Sequence, residues 1–217
     1  EHGEVVETPE DCFRRVAQTI AKVEETPALR KFWEEKFFGV MDNLEFLPGG
    51  RTLANAGTNY PQLANCFVLP LEDNIEEIFE VVKESSILKK FGGGVGFSFS
   101  KIRPRGDSLL GTSGSACGPV ALMKILDSAS EIFLQQGTRR SGNMVVLSVA
   151  HPDVLDFIVV KKDQNSLAQI NYSLGITDSF MKAVEKNRAW ELINPRTGKV
   201  SKKVKAKSIF EAATAMA

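Results

Sequence analysis

The sequence predicts an α/β protein with a small helical segment ahead of it. Three observations point there. Two proline-capped helical stripes open the chain, apolar runs of strand length then alternate with helical stripes, and residues 95–99 alternate apolar with small side chains at the two-residue period of a strand. Strands that alternate with helices are joined by right-handed crossovers and build a mainly parallel sheet. The 217 residues carry 27 Lys+Arg against 27 Asp+Glu and are 43% hydrophobic, an ordinary globular composition. A fold of this length buries roughly 70% of its unfolded surface, so no disulfide or metal staple is needed. Balanced charge argues against broad attraction to nucleic acid or an anionic membrane. No apolar run approaches the ~18 residues of a membrane span.

The elements follow in order. Thr8-Pro9-Glu10-Asp11 reads as an N-cap, a proline in the first turn and an acid three residues after the cap, ahead of the stripe Phe13, Val16, Ile20, Val23. Thr26-Pro27 repeats the device before Leu29, Phe32, Trp33, Phe37 and Val40. Phe46-Leu47-Pro48-Gly49-Gly50 breaks the helical pattern, which places a domain boundary between residues 47 and 48, with 1–47 helical and 48–217 α/β. Cys66–Leu69 is a short strand. Asp73 with Glu76 predicts a capping box for a helix over 75–91, which Gly92 stops. A strand through Val95, Phe97 and Phe99 follows, then a loop from Arg103 to Gly118 and a helix that Pro119 begins. Beyond a turn at 137–142 come a strand over 144–149, a helix over 153–160, a strand over 170–176 and a helix capped by Thr177. Asn194-Pro195-Arg196-Thr197-Gly198 turns a hairpin whose second strand, alternating Lys with Val and Ala, reads as a solvated edge. Ser208 with Glu211 predicts the start of a last helix.

Chemistry must come from few residues. Cys12, Cys66 and Cys117 are odd in number and form no CxxC, so neither a disulfide framework nor a zinc site is indicated. His2 and His151 are the only histidines, which excludes a His-rich metal centre. The acidic start lacks the basic and apolar regions of a signal peptide. It also lacks an initiator Met, so the chain is read as trimmed or internal to a longer protein, in a reducing cytoplasmic setting. Phe91–Phe97 contains Gly92, Gly93, Gly94 and Gly96 but fails both phosphate-loop patterns: no Lys-Ser/Thr follows, and Phe97 stands where GxGxxG needs glycine. It reads either as backbone brought close to a flat ligand or as tight packing at a helix–strand turn. Gly111–Ser115, ahead of a helix N-terminus, is an anion site or a flexible loop. Arg139 and Arg140 sit in a glycine-flanked turn suited to phosphate or simply to the surface. Cys66, at the mouth of a strand, is either inert filler or a reactive thiol.

Five segments, Leu47–Thr58, Gln62–Pro70, Gly92–Gly106, Gln136–Pro152 and Asn171–Val184, resemble in order the large catalytic chain of ribonucleotide reductase. Gly94–Asp107, GVGFSFSKIRPRGD, is most similar to the adenosylcobalamin-dependent class. The resemblance covers residues ~8 to 217. It implies a ten-stranded α/β barrel, of which this chain supplies the helical N-terminal part and the first strands. It implies an enzyme that reduces ribonucleotides to deoxyribonucleotides for DNA replication, with Cys66 as the first cysteine of the redox pair. Thr52, Asn65, Gly93 and Gly94 would line the substrate. Asp73, Ile75 and Arg103, with the loop from Arg103 to Gly118, would bind a deoxynucleoside triphosphate or ATP effector. The turn from Gln136 to Gly142, with Arg139 and Arg140, would relay the effector's identity to the substrate base. Further implied are adenosylcobalamin held mainly outside this chain, no metal site, a thioredoxin-like reductant, a homo-oligomer and a complementary C-terminal part. The family's radical cysteine loop, the second cysteine of the pair and the ATP-cone have no match in these residues. The alternative is a deoxynucleotide-binding regulatory module without turnover.

Overall fold

The computed structural model describes residues 5–60, 62–109, 111, 113–132, 134–135, 139–140, 142–160 and 167–216, with backbone alone at 134–135 and 139–140. The chain forms two compact units, Glu1–Asn65 and Cys66–Ala217.

The first unit holds α1 (Pro9–Ala21), α2 (Pro27–Asp42) and α3 (Gly50–Asn55). The predicted caps form. Thr8 Oγ1 accepts from the Asp11 amide at 3.2 Å while the Asp11 carboxylate accepts from the Thr8 amide at 3.0 Å, a reciprocal box worth about 1 kcal/mol. Thr26 caps α2 through the Leu29 amide. Val16 and Ala17 of α1 bury against Met41 of α2 and Ala56. The break at 46–50 does not end this unit, because α3 follows it. The prolyl and glycyl signals hid that helix, and its C-terminal carbonyls are satisfied from a distance. Arg15, paired with Glu7 at 2.7 Å, donates to the Leu53 and Ala56 carbonyls.

The second unit begins with β1 (Cys66–Leu69), α4 (Ile75–Lys90), β2 (Gly94–Ser98) and α5 (Pro119–Ile132). A short antiparallel ribbon of β3 (Leu134–Gln135) and β4 (Arg139–Arg140) precedes β5 (Asn143–Ser148), α6 (Val154–Val159) and β6 (Ile170–Gly175). α7 (Asp178–Glu185), the antiparallel hairpin β7 (Ala189–Ile193) and β8 (Val200–Lys205), and α8 (Ala206–Thr214) complete it. Strands β1-β2-β5-β6 form one parallel sheet in chain order, as the first strands of a barrel do, and the sheet does not close among the described residues.

Two caps differ from the sequence expectation. Asn74, not Asp73, caps α4 by accepting from the Glu77 amide at 2.8 Å. Asp73 is drawn off into an ion pair with Arg103, so the capping box with Glu76 does not form. α8 starts at Ala206, two residues before Ser208, whose hydroxyl instead donates back to the Lys205 carbonyl. The hairpin edge behaves as predicted: β8 is exposed apart from Val204, and Lys203 pairs with Glu191 across the strands at 2.7 Å.

The faces of the parallel sheet are unequal. Val95 and Phe97 of β2, Val145 and Leu147 of β5 and Ile170 of β6 point into a core with Val81 of α4 and Met123 and Leu126 of α5. A second core joins Val149, Val154 and Ile158 to Phe180, Leu192, Ala206 and Ile209. At one end of the first core, Lys89 is 1% exposed and donates from Nζ to Ser130 Oγ at 2.7 Å. Ser130 donates on to the Leu126 carbonyl and accepts from Asn143 Nδ2 at 2.6 Å. Burial pushes the Lys89 amine from 10.5 down to about 8. Among the described residues no helix is long and apolar enough to cross a membrane, and no group of three or more His, Cys, Asp or Glu is placed to hold a metal ion.

Candidate functional site

The other face of the parallel sheet carries the alternate residues. Strand register places Cys66 beside Gly94, Val68 beside Gly96, Gly96 beside Met144, and Met144 beside Asn171. With side chains alternating along each strand, Cys66, Val68, Gly94, Gly96, Ser98, Met144, Val146, Asn171 and Ser173 share one surface. Among the described residues no helix core covers it: Val68 is 82% exposed and Met144 41%. Parallel sheets are normally covered on both faces, so a bare face that mixes glycines and polar residues with Val68, Met144 and Val146 is a feature to explain. Cys66 sits at its corner as a free, exposed thiol.

The glycines divide in purpose. Gly92, with φ of 82°, makes the turn out of α4 that an L side chain would strain. Gly96 is not forced by packing, because a Cβ there would meet nothing closer than the Phe67 carbonyl at 3.8 Å. Its effect is to keep the face flat where something else can lie. Gly93 is buried, and Gly94 opens β2 in register with Cys66.

Thr52 and Asn65 lie in the first unit, where both are engaged locally. Thr52 Oγ1 donates to the Leu63 carbonyl at 3.0 Å, and Asn65 Oδ1 accepts from the Arg51 amide at 3.0 Å.

A second site lies where α4 and α5 begin. Asp73, Ile75 and Arg103 line one cavity of about 500 Å³, together with Asn74, Leu109, Cys117 and Gly118. That volume suits a small-molecule ligand. Arg103 donates from Nε to the Asp73 carboxylate at 2.7 Å and from Nη2 to the Asp73 carbonyl at 3.1 Å. The pair is about four-fifths buried, which fixes the guanidinium at the cavity wall. The helix starts add N–H donors and the positive ends of two dipoles. Arg139 and Arg140 have described backbone in β4, but their side chains, and residues 136–138 and 141 of the turn expected to relay effector identity, lie outside the described residues.

The loop from Ile102 to Gly118 that walls this cavity is a ladder at its base rather than a free loop. Gly106 donates to the Ala116 carbonyl at 2.9 Å, Ala116 to the Asp107 carbonyl at 2.7 Å, and Ser108 bridges Ser115. Arg196 of the hairpin turn grips the Asp107 carboxylate with two bonds, at 2.7 and 3.0 Å, and Asn194 adds a third. Those partners hold the Asp107 carboxyl far below the usual carboxylate range. On the inner side, His151 is 2% exposed. Its Nε2–H donates to the Ile102 carbonyl at 2.8 Å, and its Nδ1 accepts from the Asp153 amide at 3.0 Å. Asp153 in turn accepts from the Arg105 amide at 2.8 Å. Burial lowers the His151 pKa from 6.5 and keeps the ring neutral.

The sequence reading missed these holding residues. His151 and Asp153 act across ~50 positions of chain and carry no local periodicity; a His-Pro-Asp directly after a strand is the only cue.

Gly118 closes the loop against Asp153. Its φ is 79°, and a Cβ there would stand 2.6 Å from the Asp153 carboxylate and 2.8 Å from the Arg105 nitrogen. Gly118→Ala is therefore expected to cost on the order of 2–3 kcal/mol and to lower the melting midpoint by roughly 5–10 °C. An unchanged midpoint in a thermal scan would refute the close approach.

Comparison with known proteins agrees with this architecture. A model of the ribonucleotide reductase all-alpha domain matches residues 1–61, and one of the ribonucleotide reductase barrel domain matches residues 64–215. A vitamin B12-dependent ribonucleoside-diphosphate reductase of Mycobacterium tuberculosis is 41% identical over 215 residues, covering 98% of this chain and 31% of that protein. One of Thermoplasma acidophilum is 45% identical over 178 residues, covering 82% of this chain and 23% of the relative. The ribonucleoside-diphosphate reductase large subunit of Danio rerio is 33% identical over 200 residues, covering 89% and 24%. The chain thus spans about a third or less of the length of these relatives. Its helical unit matches one family domain and its parallel sheet the other: the chain belongs to the ribonucleotide reductase large-chain family.

Proposed function

We propose that this chain supplies the helical domain and first barrel strands of a cobalamin-dependent ribonucleotide reductase, acting on ribonucleoside diphosphates as its relatives' names state. The observation that carries the reading is the exposed Cys66 thiol, in register with Gly94 at the corner of a bare, glycine-flattened sheet face. In a closed barrel that face is the interior. A thiol there can protonate the leaving 2′-hydroxyl of a ribose radical. With a second thiol from elsewhere, it then forms a disulfide as water departs and the 2′ carbon gains hydrogen. Two thiols are oxidised by two electrons and one C–O bond is reduced to C–H. A thioredoxin-like dithiol restores the pair.

Cobalamin, when bound, would supply the radical chemistry that the vitamin B12-dependent relatives' names imply. The described residues do not fit a resident corrin. His151, the histidine among them, has both ring nitrogens engaged in hydrogen bonds and leaves neither to hold a metal-centred group. In this reading the cobalamin site belongs to other parts of the enzyme, and this chain's residues hold the substrate and effector.

The cavity at Asp73, Ile75 and Arg103 is proposed as the deoxynucleoside triphosphate site. Arg103, held at the wall by Asp73, presents its guanidinium to phosphate while the Asp73 carboxylate also takes a ribose hydroxyl, and the loop that walls the cavity conveys occupancy onward through the turn at 136–142. Charge-assisted bonds of this kind contribute about 1.5–3 kcal/mol. Arg103→Ala should therefore weaken deoxynucleoside triphosphate binding by about tenfold or more in a calorimetric titration, and Cys66→Ser should leave it unchanged. Equal affinity for wild type and Arg103→Ala would remove the effector assignment without touching the redox role of Cys66. The activity is tested with the protein that carries this sequence, supplied with adenosylcobalamin, a dithiol, and either CDP or CTP. Deoxycytidine product supports the reading, and turnover of neither overturns it. Nucleotide binding without turnover would leave the regulatory-module reading.

A further inference from the structure

We propose that His151 and Asp153 are positioning residues of the nucleotide cavity, a staple that sets the loop from Ile102 to Gly118 and so sets nucleotide affinity. This rests on the reading of that cavity as a deoxynucleoside triphosphate site. Seven residues of the loop, from Ile102 to Gly118, line the cavity. The loop's two ends are both held by the three-residue segment after β5. His151 holds the Ile102 carbonyl, and Asp153 holds the Arg105 amide and packs where Gly118 returns. Arg103, the proposed phosphate ligand, lies between the two anchored positions, Ile102 and Arg105. Releasing either anchor lets the guanidinium leave the wall against which Asp73 holds it.

The staple requires one protonation state. His151 must donate from Nε2 and accept at Nδ1 at the same time, which only the neutral ring does. A proton on Nδ1 removes the acceptor for the Asp153 amide and loosens the segment that holds Arg105. Burial places that protonation below pH 6.5, the ordinary histidine value. The sign is therefore fixed: the staple is intact above that pH and opens as pH falls. The charged groups around it are already committed. The Asp153 carboxylate accepts from the Arg105 backbone amide, Arg103 pairs with Asp73, Lys101 with Glu72, and Asp107 with Arg196.

The test is fluorescence titration of mant-dATP and mant-dTTP, from pH 5 to 8, into the protein that carries this sequence. The proteins compared are wild type, His151→Gln, Asp153→Ala and Asp153→Asn. Glutamine keeps a donor for the Ile102 carbonyl but has no acceptor in place of Nδ1. His151→Gln should bind about tenfold more weakly at pH 7.5 and lose the extra acid weakening expected of wild type. The triphosphate gains a proton in the same range, so the decisive quantity is the ratio of the two proteins at each pH. Asp153→Ala should weaken binding by about tenfold. Asp153→Asn, whose amide oxygen still accepts from Arg105, should restore it to within about twofold, which a loss of packing alone would not predict. If His151→Gln does not fold, the Asp153 pair decides. Wild-type affinity and an unchanged pH profile in His151→Gln, or equal affinities for Asp153→Ala and Asp153→Asn, would overturn the staple. Failure of wild type to bind either nucleotide would instead overturn the effector reading on which it rests.

Discussion

Cys66→Ser is expected to reduce deoxynucleotide formation by roughly a thousandfold or more, the scale of losing a residue that carries a covalent step. Serine keeps the shape and a proton but cannot be oxidised to a disulfide. Cys66 lies at the end of an exposed sheet face and contributes to neither core cluster, so the substitution should leave the melting midpoint within about 1–2 °C. Single-turnover product, measured after reduction with a dithiol, is the readout. Product at more than about a tenth of the wild-type yield would show that another thiol does the work. Cys12 is poorly suited: its thiol donates to the Leu53 carbonyl, and burial pushes its pKa up. Cys117 lines the cavity proposed to take a nucleotide, so Cys117→Ser should change effector affinity before it changes chemistry.

Lys89→Met is expected to stabilise the protein by about 2 kcal/mol at pH 7.5. The amine is enclosed at 1% exposure, and burial lowers its pKa from 10.5 to about 8. That corresponds to a penalty on the order of 3 kcal/mol for holding the charged form, against about 1 kcal/mol for the bond to Ser130. Methionine fills the same channel with a flexible apolar chain. Nothing is orphaned by the change, because Ser130 keeps its bonds to Leu126 and Asn143. The pH dependence has a definite sign. Between pH 8 and 10.5 the unfolded chain keeps a proton that the folded chain sheds, so stability contributed at this site rises with pH. Below pH 8 both states are charged and the folded one bears the full burial cost. Urea unfolding at pH 7.5, 9 and 10 should show the wild type gaining on Lys89→Met as pH rises. A destabilised Lys89→Met at pH 7.5, or parallel pH curves, would mean that the charge has a partner in the folded state.

Local grammar carried most of the elements because the forces that set them are local. Thr8, Thr26 and Thr177 each cap within three residues of themselves, and the alternation Val95, Phe97, Phe99 reports which side of a strand is buried. The hairpin of β7 and β8 is legible for the same reason, since its turn residues and its alternation lie within ~15 positions. Cys66, the glycines and the loop after Arg103 could be singled out by type and order, and the ordered motifs tied them to a family. Only the tertiary structure decided what these residues meet. Asp73 was drawn from capping α4 into an ion pair 30 positions away, so Asn74 became the cap. Arg15 closed α3, a helix with no cap signal of its own, across ~40 positions. Parallel pairing brought Cys66 beside Gly94 and left one sheet face bare. His151 reached the Ile102 carbonyl across 49 positions. Each of these choices depends on which distant group arrives within about 3 Å with the right lone pair or proton, and no window of sequence contains both partners.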